Sequence, residues 1–393
     1  MKKIVSKKIC SGCHACSNAC PKNCISMQPD KEGFLYPVID KTKCINCGKC
    51  KKVCSVLNVA KTNKGVAYAC INKDENIRAQ SSSGGIFTLI AEDIINKGGV
   101  VFGAALCDDL SVKHIEVDNC DDLHKLRGSK YVQSTIGDSY VLVKKRLKEG
   151  KWVLFTGTPC QIRGLNAFLN NTYDRLITAD MICHGVPSSK VWHKYLKYME
   201  KEVSEKINTE EKPQFRNKST GWERFSVVLN FKNNKKYSNK FTDDLYMRAF
   251  IGNISLRKSC YNCRSKSLSR ESDITLADFW GIKKVHPDMF DDKGTSLIFV
   301  NSDKGVTLFN NIKHQMEYCE TDIENIPKYN MPVCKSVEWH PNRNKFLKMI
   351  AEDADFKEAV NKCLKLSFFQ RAWRFGKRRV KKYCKLVLNN ARK

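Results

Sequence analysis

The pattern of apolar and polar residues beyond residue 64 is typical of a domain that mixes helices and strands. Apolar side chains recur at three- and four-residue steps over residues 84–96 and 189–203, which predicts amphipathic helices there. Continuous apolar runs at residues 99–106 and 176–183 predict buried strands. By the same criteria we predict helices at 138–148, 161–169 and 304–313 and strands at 151–155 and 296–301.

A predicted hairpin decides the fold class. Residues 224–240 alternate in polarity around Asn233 and Asn234, which favour a tight turn. This hairpin interrupts the alternation of strands and helices, so we predict an α+β fold with a central sheet, not a doubly wound one.

Two cysteine runs near the N-terminus share one spacing, C-x2-C-x2-C-x3-C. The first run consists of Cys10, Cys13, Cys16 and Cys20, and the second of Cys44, Cys47, Cys50 and Cys54. A zinc ribbon would need cysteine pairs separated by a longer stretch. This spacing instead suits bacterial dicluster ferredoxins, where the fourth cysteine of each run ligates the other cluster. The runs therefore predict two 4Fe–4S clusters and one-electron transfer.

The crossed pattern assigns four ligands to each cluster. Cluster one would be bound by Cys10, Cys13, Cys16 and Cys54, and cluster two by Cys44, Cys47, Cys50 and Cys20. Cys24 lies four residues beyond Cys20. We interpret it as a small buried side chain beside a cluster in preference to a ligand.

Bulk properties narrow the class of protein. The chain has 393 residues, which suggests two or three domains. It contains 20 cysteines, and its net charge is +28. No apolar run reaches the roughly 18 residues of a membrane span, and no signal-peptide core precedes Cys10. We therefore expect a cytoplasmic protein with reduced cysteines.

The C-terminus forms a basic tail. Residues 359–393 hold twelve lysines and arginines and no acidic residue. On a helix, apolar residues from Leu366 to Val387 would share one face. Such a helix could lie on an anionic membrane surface or pack on the protein's own body. Binding to nucleic acid ranks third, and we expect no nucleic-acid partner because no recognition motif accompanies the charge.

Four further cysteines stand in loops that could converge. Cys160 and Cys183 follow predicted strands, and Cys260 and Cys263 form a C-x2-C pair. Four thiolates at one point suit a metal. Spacing alone leaves three interpretations open, namely a tetrahedral zinc, a third 4Fe–4S cluster, or ordinary buried cysteines.

Six short sequence motifs, in a fixed order, carry a family resemblance that covers residues 1 to about 345. They are SSGG (82–85), GSKYVQS (128–134), TGTPCQ (156–161), ICHGVP (182–187), SCYNC (259–263) and DITLADFWG (273–281). Together they closely resemble the coenzyme F420 hydrogenase/dehydrogenase beta-subunit family, and in particular its bacterial members with an N-terminal dicluster ferredoxin domain. The resemblance implies an oxidoreductase whose body binds FAD and a third 4Fe–4S cluster, with Cys160, Cys183, Cys260 and Cys263 as ligands.

Within that resemblance, two segments are candidates for binding the flavin. Glycine and serine at a helix N-terminus can bring backbone N–H groups close to a diphosphate, although they are equally common as helix caps. The candidates are Ser82, Ser83, Gly84 and Gly85, with Gly128, Ser129 and Lys130 as a second segment. Lys130 could lie near the flavin's pyrimidine side or be a plain surface lysine. His184 and Asp278 could each be structural or functional, and no catalytic residue is assigned.

The preferred hypothesis is an iron–sulfur flavoprotein that passes electrons between ferredoxin-type clusters and a deazaflavin-like two-electron carrier. Its partner would be a redox protein or small electron carrier, and the sequence does not indicate an oligomeric state. One rival is an electron-transfer subunit with no substrate of its own, which feeds a separate enzyme. Another is a zinc-stabilised nucleic-acid-binding protein.

These interpretations divide the chain into four predicted parts. Residues 1–60 would form the dicluster domain, and residues 65–140 and 141–345 the two parts of the flavin- and cluster-binding domain. Residues 346–393 would form the basic helical tail, through which a cytoplasmic protein could contact a membrane.

Overall fold

The structure is a computed structural model that describes residues 4–58 and 62–365. Its strands are β1 Ile25–Pro29, β2 Leu35–Ile39, β3 Val66–Asn72, β4 Val100–Leu106, β5 Val112–Val117, β6 Val153–Thr156, β7 Leu176–Met181, β8 Gln214–Asn217, β9 Ser226–Asn230, β10 Lys236–Lys240, β11 Ile274–Asp278, β12 Ser296–Val300 and β13 Met316–Thr321.

The helices range from single turns to four turns. They are α1 Ala15–Asn18, α2 Lys49–Lys52, α3 Glu75–Gln80, α4 Ile86–Asn96, α5 Leu123–Leu126, α6 Ser139–Lys148, α7 Pro159–Leu169, α8 Ser189–Val203, α9 Leu245–Ile251, α10 Ile282–Val285, α11 Asp303–Ile312, α12 Ile326–Tyr329, α13 Arg343–Ala351 and α14 Phe356–Leu364. Across the described residues, no helix combines the length and the apolar character needed to cross a bilayer.

The N-terminal module, residues 4–58, is ferredoxin-like. It pairs β1 with β2 as an antiparallel hairpin and places one short helix inside each cysteine run. Gly12 and Gly48 have φ angles of 70° and 73°, and glycine adopts this left-handed conformation without a Cβ clash. The two runs can therefore turn sharply enough to direct several thiols inward.

Eight strands form the central sheet of the body, in the order β13-β3-β12-β11-β7-β6-β4-β5. The four strands β4, β6, β7 and β11 are parallel, and the pairings towards both edges are antiparallel. The predicted mixed architecture with a central sheet is confirmed. Because β6 and β7 are parallel neighbours, the segments that follow them, with Cys160 and Cys183, leave the same end of the sheet.

The predicted hairpin is present, but its place in the fold differs from the prediction. Strands β9 and β10 pair antiparallel, and Asn234 takes the left-handed conformation at φ 63°. They form a separate three-stranded sheet with β8. The hairpin therefore lies beside the central sheet without interrupting it. The central sheet is mixed because four of its eight strands, β13, β3, β12 and β5, make only antiparallel pairings.

Buried arginines of the body hold the N-terminal module in place. The Arg343 guanidinium is fully buried and donates to both carboxylate oxygens of Glu32, with N–O distances of 2.9 and 2.7 Å. The fully buried Arg257 donates from Nε to the carbonyl oxygen of Cys10 at 2.8 Å. The module is thus attached through charge-assisted hydrogen bonds between residues distant in sequence.

Replacing Glu32 by glutamine should destabilise the fold by about 3 kcal/mol, because Arg343 would keep a buried, uncompensated charge. Burial raises the pKa of Glu32, but the Arg343 guanidinium outweighs burial and holds that pKa below 4.5. The pair therefore stabilises the fold above the unfolded-state pKa, and this contribution is lost as pH falls through the folded-state pKa. Denaturant unfolding at pH 7 and at acidic pH would measure both effects.

Glu352 provides the matched control at the far end of α13, the helix that Arg343 begins. It pairs with Lys348 at 3.7 Å, and both side chains are more than half exposed. E352Q should change the stability by less than about 0.5 kcal/mol. Equal effects of E32Q and E352Q at pH 7 would contradict the role given to the buried pair.

The predicted basic tail lies largely outside the described residues. Its helix and its membrane contact therefore stay predictions, as do the four domain boundaries. Residues up to Lys365 include α13 and α14, which pack on each other and on α8.

Candidate metal centres and cofactor site

The cysteines predicted for cluster one lie close together. Burial raises the pKa of Cys16, and the neighbouring thiols of Cys13, Cys10 and Cys54 raise it further. Cys54 comes from the second run, so thiols of both runs meet here, as the crossed pattern predicts. Cys10 and Cys54 are buried, whereas Cys13 and Cys16 are half-buried.

The cysteines predicted for cluster two line one recess, which Cys24 shares. The recess is bordered by Cys20, Cys44, Cys47 and Cys50. The sulfur of Cys24 lies 3.3 Å from that of Cys20, and Cys24 is buried. The interpretation of Cys24 as a small buried residue fits this position, and its preference over a ligand role stays a prediction. Cys47 is solvent-exposed, so this recess reaches the surface of the module.

The third set of cysteines lines a recess at the end of the central sheet. It is bordered by Cys160, Cys183, Cys260 and Cys263. Cys160 lies in the first turn of α7, where Thr158 and Gln161 form a capping box. Cys183 follows β7, and the backbone N–H of Arg257 donates to the carbonyl oxygen of Val186, which brings the C-x2-C segment alongside. Three separate segments therefore meet at one point.

The same recess also touches the N-terminal module. Ile9, Ser11, Ser55 and Val56, which flank cluster-one cysteines, complete its lining. Within α7, Gly164 lies four residues after Cys160. A Cβ at that glycine would lie 2.8 Å from the Cβ of Cys13 and 3.0 Å from its sulfur. Because Cys160 and Gly164 are about 6 Å apart along the axis of α7, this helix contacts both cysteine sets.

The chemistry of the recess suits an anionic cluster. Five basic residues line it and no acidic one does, namely Arg163, Arg257, Arg264, Lys266 and Arg270. Burial raises the pKa of Cys160 and Cys183, and that of Cys260 to about 12. Because metal ligation requires thiolates, a metal group and this positive lining would together favour deprotonation.

The choice between a zinc ion and a cluster depends on how the ligand side chains are positioned. Within residues 4–58 and 62–365, no group of three or more His, Cys, Asp or Glu side chains is positioned to hold a metal ion. A tetrahedral zinc needs thiolates only about 2.3 Å from the metal. The third 4Fe–4S cluster therefore stays a prediction.

Replacing Gly164 by alanine should disturb cluster one. In an ordinary helix this change stabilises by about 0.5–1 kcal/mol. Here the added methyl group would meet Cys13 and also the Tyr140 hydroxyl at 2.8 Å. We therefore expect a loss of stability and of roughly four irons per chain, measured by unfolding and by iron analysis.

Ala167 is a half-buried residue on the same helix, and A167S adds one atom there. This control should keep the iron content of the unmodified chain. A stabilised G164A variant with its full complement of iron would contradict the close packing of α7 on Cys13.

The two candidate flavin-binding segments adjoin each other. The backbone N–H of Ser129 donates to the Ser82 hydroxyl at 2.8 Å. Gly85 has a φ angle of 84° and is the N-cap of α4. Gly84 lies against β3 and β12, where a Cβ would be 2.4 Å from the carbonyl oxygen of Cys70. The structure thus brings Ser82, Ser83, Gly84 and Gly85 together with Gly128, Ser129 and Lys130, whereas flavin binding by them stays a prediction.

The ammonium group of Lys130 is engaged within the protein. It donates to the carbonyl oxygens of Lys125, Leu126 and Arg127 at 2.9–3.0 Å and so satisfies the end of α5. Burial lowers the pKa of Lys130 to about 7. This lysine therefore caps a short helix, which neither the flavin interpretation nor the plain surface interpretation anticipated.

Two basic side chains near these segments, Arg216 and Lys218, were not predicted from the sequence. Arg216 pairs with Asp278, whose second oxygen accepts from Trp222 at 2.9 Å. Lys218 donates to the carbonyl oxygen of Ser83 at 3.1 Å, and burial lowers the pKa of Lys218 to about 8. Neither residue belongs to a cysteine or glycine motif, so the sequence carried no signal for them.

His184 and Asp278 have structural contacts. His184 hydrogen-bonds the Asn253 side chain at 2.7 Å, and burial lowers its pKa. Asp278 is the shared acceptor of Arg216 and Trp222, as described above. Both side chains therefore hold neighbouring segments in place.

Comparisons with known proteins support the domain composition. Residues 9–58 match the family model of the 4Fe–4S dicluster domain. Residues 150–326 match the family model for the C terminus of the beta subunit of coenzyme F420 hydrogenase/dehydrogenase. These matches confirm the resemblance predicted from the cysteine runs and the six ordered motifs.

Two individual relatives are similar to parts of the chain. A coenzyme F420-dependent sulfite reductase of Methanocaldococcus jannaschii is 25% identical over 169 residues, which cover 42% of this chain and 26% of that protein. The chain thus spans about a quarter of that relative's length. A chain of the F420-reducing NiFe hydrogenase complex of Methanosarcina barkeri, solved as a xenon derivative, aligns at 15% identity with a TM-score of 0.46, over 76% of this chain and 92% of that one.

Proposed function

Because the chain joins a 4Fe–4S dicluster domain to a C-terminal domain of the coenzyme F420 hydrogenase/dehydrogenase beta-subunit family, we propose that it is an iron–sulfur flavoprotein oxidoreductase. It would pass electrons between ferredoxin-type clusters and a two-electron carrier similar to the deazaflavin F420. The name of the matched family and that of the sulfite reductase relative support this substrate class.

The proposal assigns three metal groups to the three cysteine sets. Cys10, Cys13, Cys16 and Cys54 would hold the first, Cys20, Cys44, Cys47 and Cys50 the second, and Cys160, Cys183, Cys260 and Cys263 the third. When bound, 4Fe–4S clusters supply one-electron transfer, and a flavin supplies the exchange between one- and two-electron chemistry. The protein's own part is to bury these groups, exclude water and balance their charge.

One observation carries the proposal most directly. Helix α7 contains both Cys160 and Gly164, and Gly164 packs directly on Cys13. A ferredoxin domain attached only as a separate carrier would need no such contact between its cysteine run and the body. The shared helix supports a continuous redox unit.

The flavin assignment relies on the paired candidate segments. Ser82, Ser83 and the glycines Gly84 and Gly85 precede α4, whose N-terminus offers backbone N–H groups to a phosphate. Ser129 is hydrogen-bonded to Ser82, and the basic side chains of Lys218 and Arg216 lie nearby. We propose that these segments bind FAD.

The test uses the anaerobically purified chain with reduced coenzyme F420 and an oxidised viologen dye as artificial acceptor. We expect dye reduction and about one FAD released per chain on denaturation. Absence of flavin would refute the flavoprotein assignment. Flavin without oxidation of any reduced deazaflavin, flavin or nicotinamide would favour the rival, an electron-transfer subunit that feeds a partner enzyme.

A further inference from the structure

Six lysines lie in the segments that carry the cluster-two cysteines, and we call this group the lysine surface. All of its lysines are exposed, and they are Lys22, Lys41, Lys43, Lys49, Lys51 and Lys52. Residues 41–58 contain no acidic residue. Of these lysines, only Lys43 has an acidic side chain within ion-pair distance among the described residues, Asp40 at 3.7 Å. The surface therefore presents a strongly positive potential to solvent.

Part of the lysine surface borders the recess of the cluster-two cysteines. Lys22, Lys49 and Ile45 line the same recess as those cysteines. Ile45 is 59% exposed and stands between Cys44 and the exposed Cys47. An exposed apolar side chain within a ring of charge is the usual composition of a protein contact, with an apolar centre and a polar rim.

Other parts of the module are in contact with the body. There Arg257 hydrogen-bonds the Cys10 backbone, Gly164 packs on Cys13, and Arg343 pairs with Glu32. All three acidic residues of the module are in ion pairs, Asp30 with Lys7, Glu32 with Arg343 and Asp40 with Lys43. The exposed Cys47 lies instead in the recess that Lys22 and Lys49 line, where a partner can approach from solvent.

We propose that the lysine surface is the docking site for a small acidic protein that carries single electrons. Charge complementarity would orient such a carrier over Ile45 and Cys47, and one electron would cross with no bond formed or broken. A small neutral or cationic carrier would gain nothing from this charge. The proposal deepens the proposed function, yet it requires only the dicluster domain and neither flavin nor substrate.

The test is the binding of an oxidised acidic two-cluster ferredoxin to the full, cluster-loaded chain, measured by calorimetry at low and high salt. The variant K22E/K49E/K52E should raise the Kd at least about 10-fold at low salt. K22Q/K49Q/K52Q should give a smaller rise in the same direction. Iron content and the visible spectrum would confirm that each variant keeps its clusters.

The matched control places the same charge change on the β9–β10 hairpin, where Lys232, Lys235 and Lys236 are exposed and share no sheet with the module. K232E/K235E/K236E should alter the Kd less than about 2-fold. The proposal is overturned if the ferredoxin does not bind the unmodified chain, if binding is insensitive to salt, or if both glutamate triples weaken it equally. If K22E/K49E/K52E lost binding to anionic lipid vesicles but bound the ferredoxin as the unmodified chain does, the proposal would also be overturned, in favour of a lipid contact.

Discussion

Replacing Arg257 by leucine is expected to destabilise the protein by about 3–5 kcal/mol and to remove cluster one. The guanidinium is fully buried and donates to three acceptors in separate segments, namely the carbonyl oxygens of Cys10 and Leu35 and the side chain of Gln133, at 2.8–3.0 Å. It also lies 4.2 Å from the ring centre of Tyr36. Leucine would leave all three acceptors without this donor, and the Cys10 carbonyl among them is buried.

Denaturant unfolding, iron analysis and the cluster spectrum of R257L would measure this effect. Arg264 is the matched control, because it is exposed at the same junction and donates to the carbonyl oxygen of Val56 at 2.7 Å. R264L should cost no more than about 1 kcal/mol and keep the iron of cluster one. If R257L retained both its stability and its iron, the module would not depend on this contact.

Replacing Cys183 by alanine is expected to remove roughly four irons per chain while leaving the N-terminal clusters in place. Cys183 lies in the loop after β7 and lines the same recess as Cys160, so its removal leaves the third set with three thiols. The N-terminal cysteines belong to a different part of the chain. Reduced carriers should then still exchange electrons with the module, but viologen reduction by reduced coenzyme F420 should fall at least about 100-fold.

Cys120 is the control for this substitution, since it is exposed and belongs to none of the three sets. C120A should keep both its iron and its activity. A C183A variant with an unchanged iron content would show that the third set does not hold a cluster, and the assignment of those four cysteines would be withdrawn.

Much of the site could be predicted because its chemistry is local in sequence. The cysteine runs bring most of their own ligands together through short-range spacing. The ordered motifs place Cys160 and Cys183 after strands. Amphipathic helices such as Ser189–Val203 were predicted with the observed bounds, since a strong apolar period and a serine N-cap coincide there.

Other features depend on contacts between residues far apart in sequence. No local pattern shows that Arg257 and Arg343 would be buried against the N-terminal module, because arginine is usually exposed. Strand β3 was not predicted. Its short sequence VAYACIN carries no turn or hairpin signal of its own, and its place between β12 and β13 follows from pairing with strands far away in the chain. The hairpin was found, but its separation from the central sheet follows from packing and not from its own sequence.

The central claim is that the body holds a third cluster and a flavin beside the dicluster module. Iron, acid-labile sulfide and flavin quantified on one anaerobic sample test it most directly. We expect roughly twelve irons, twelve sulfides and one FAD per chain. Roughly eight irons and eight sulfides, with zinc or no metal in the body and no flavin, would contradict it.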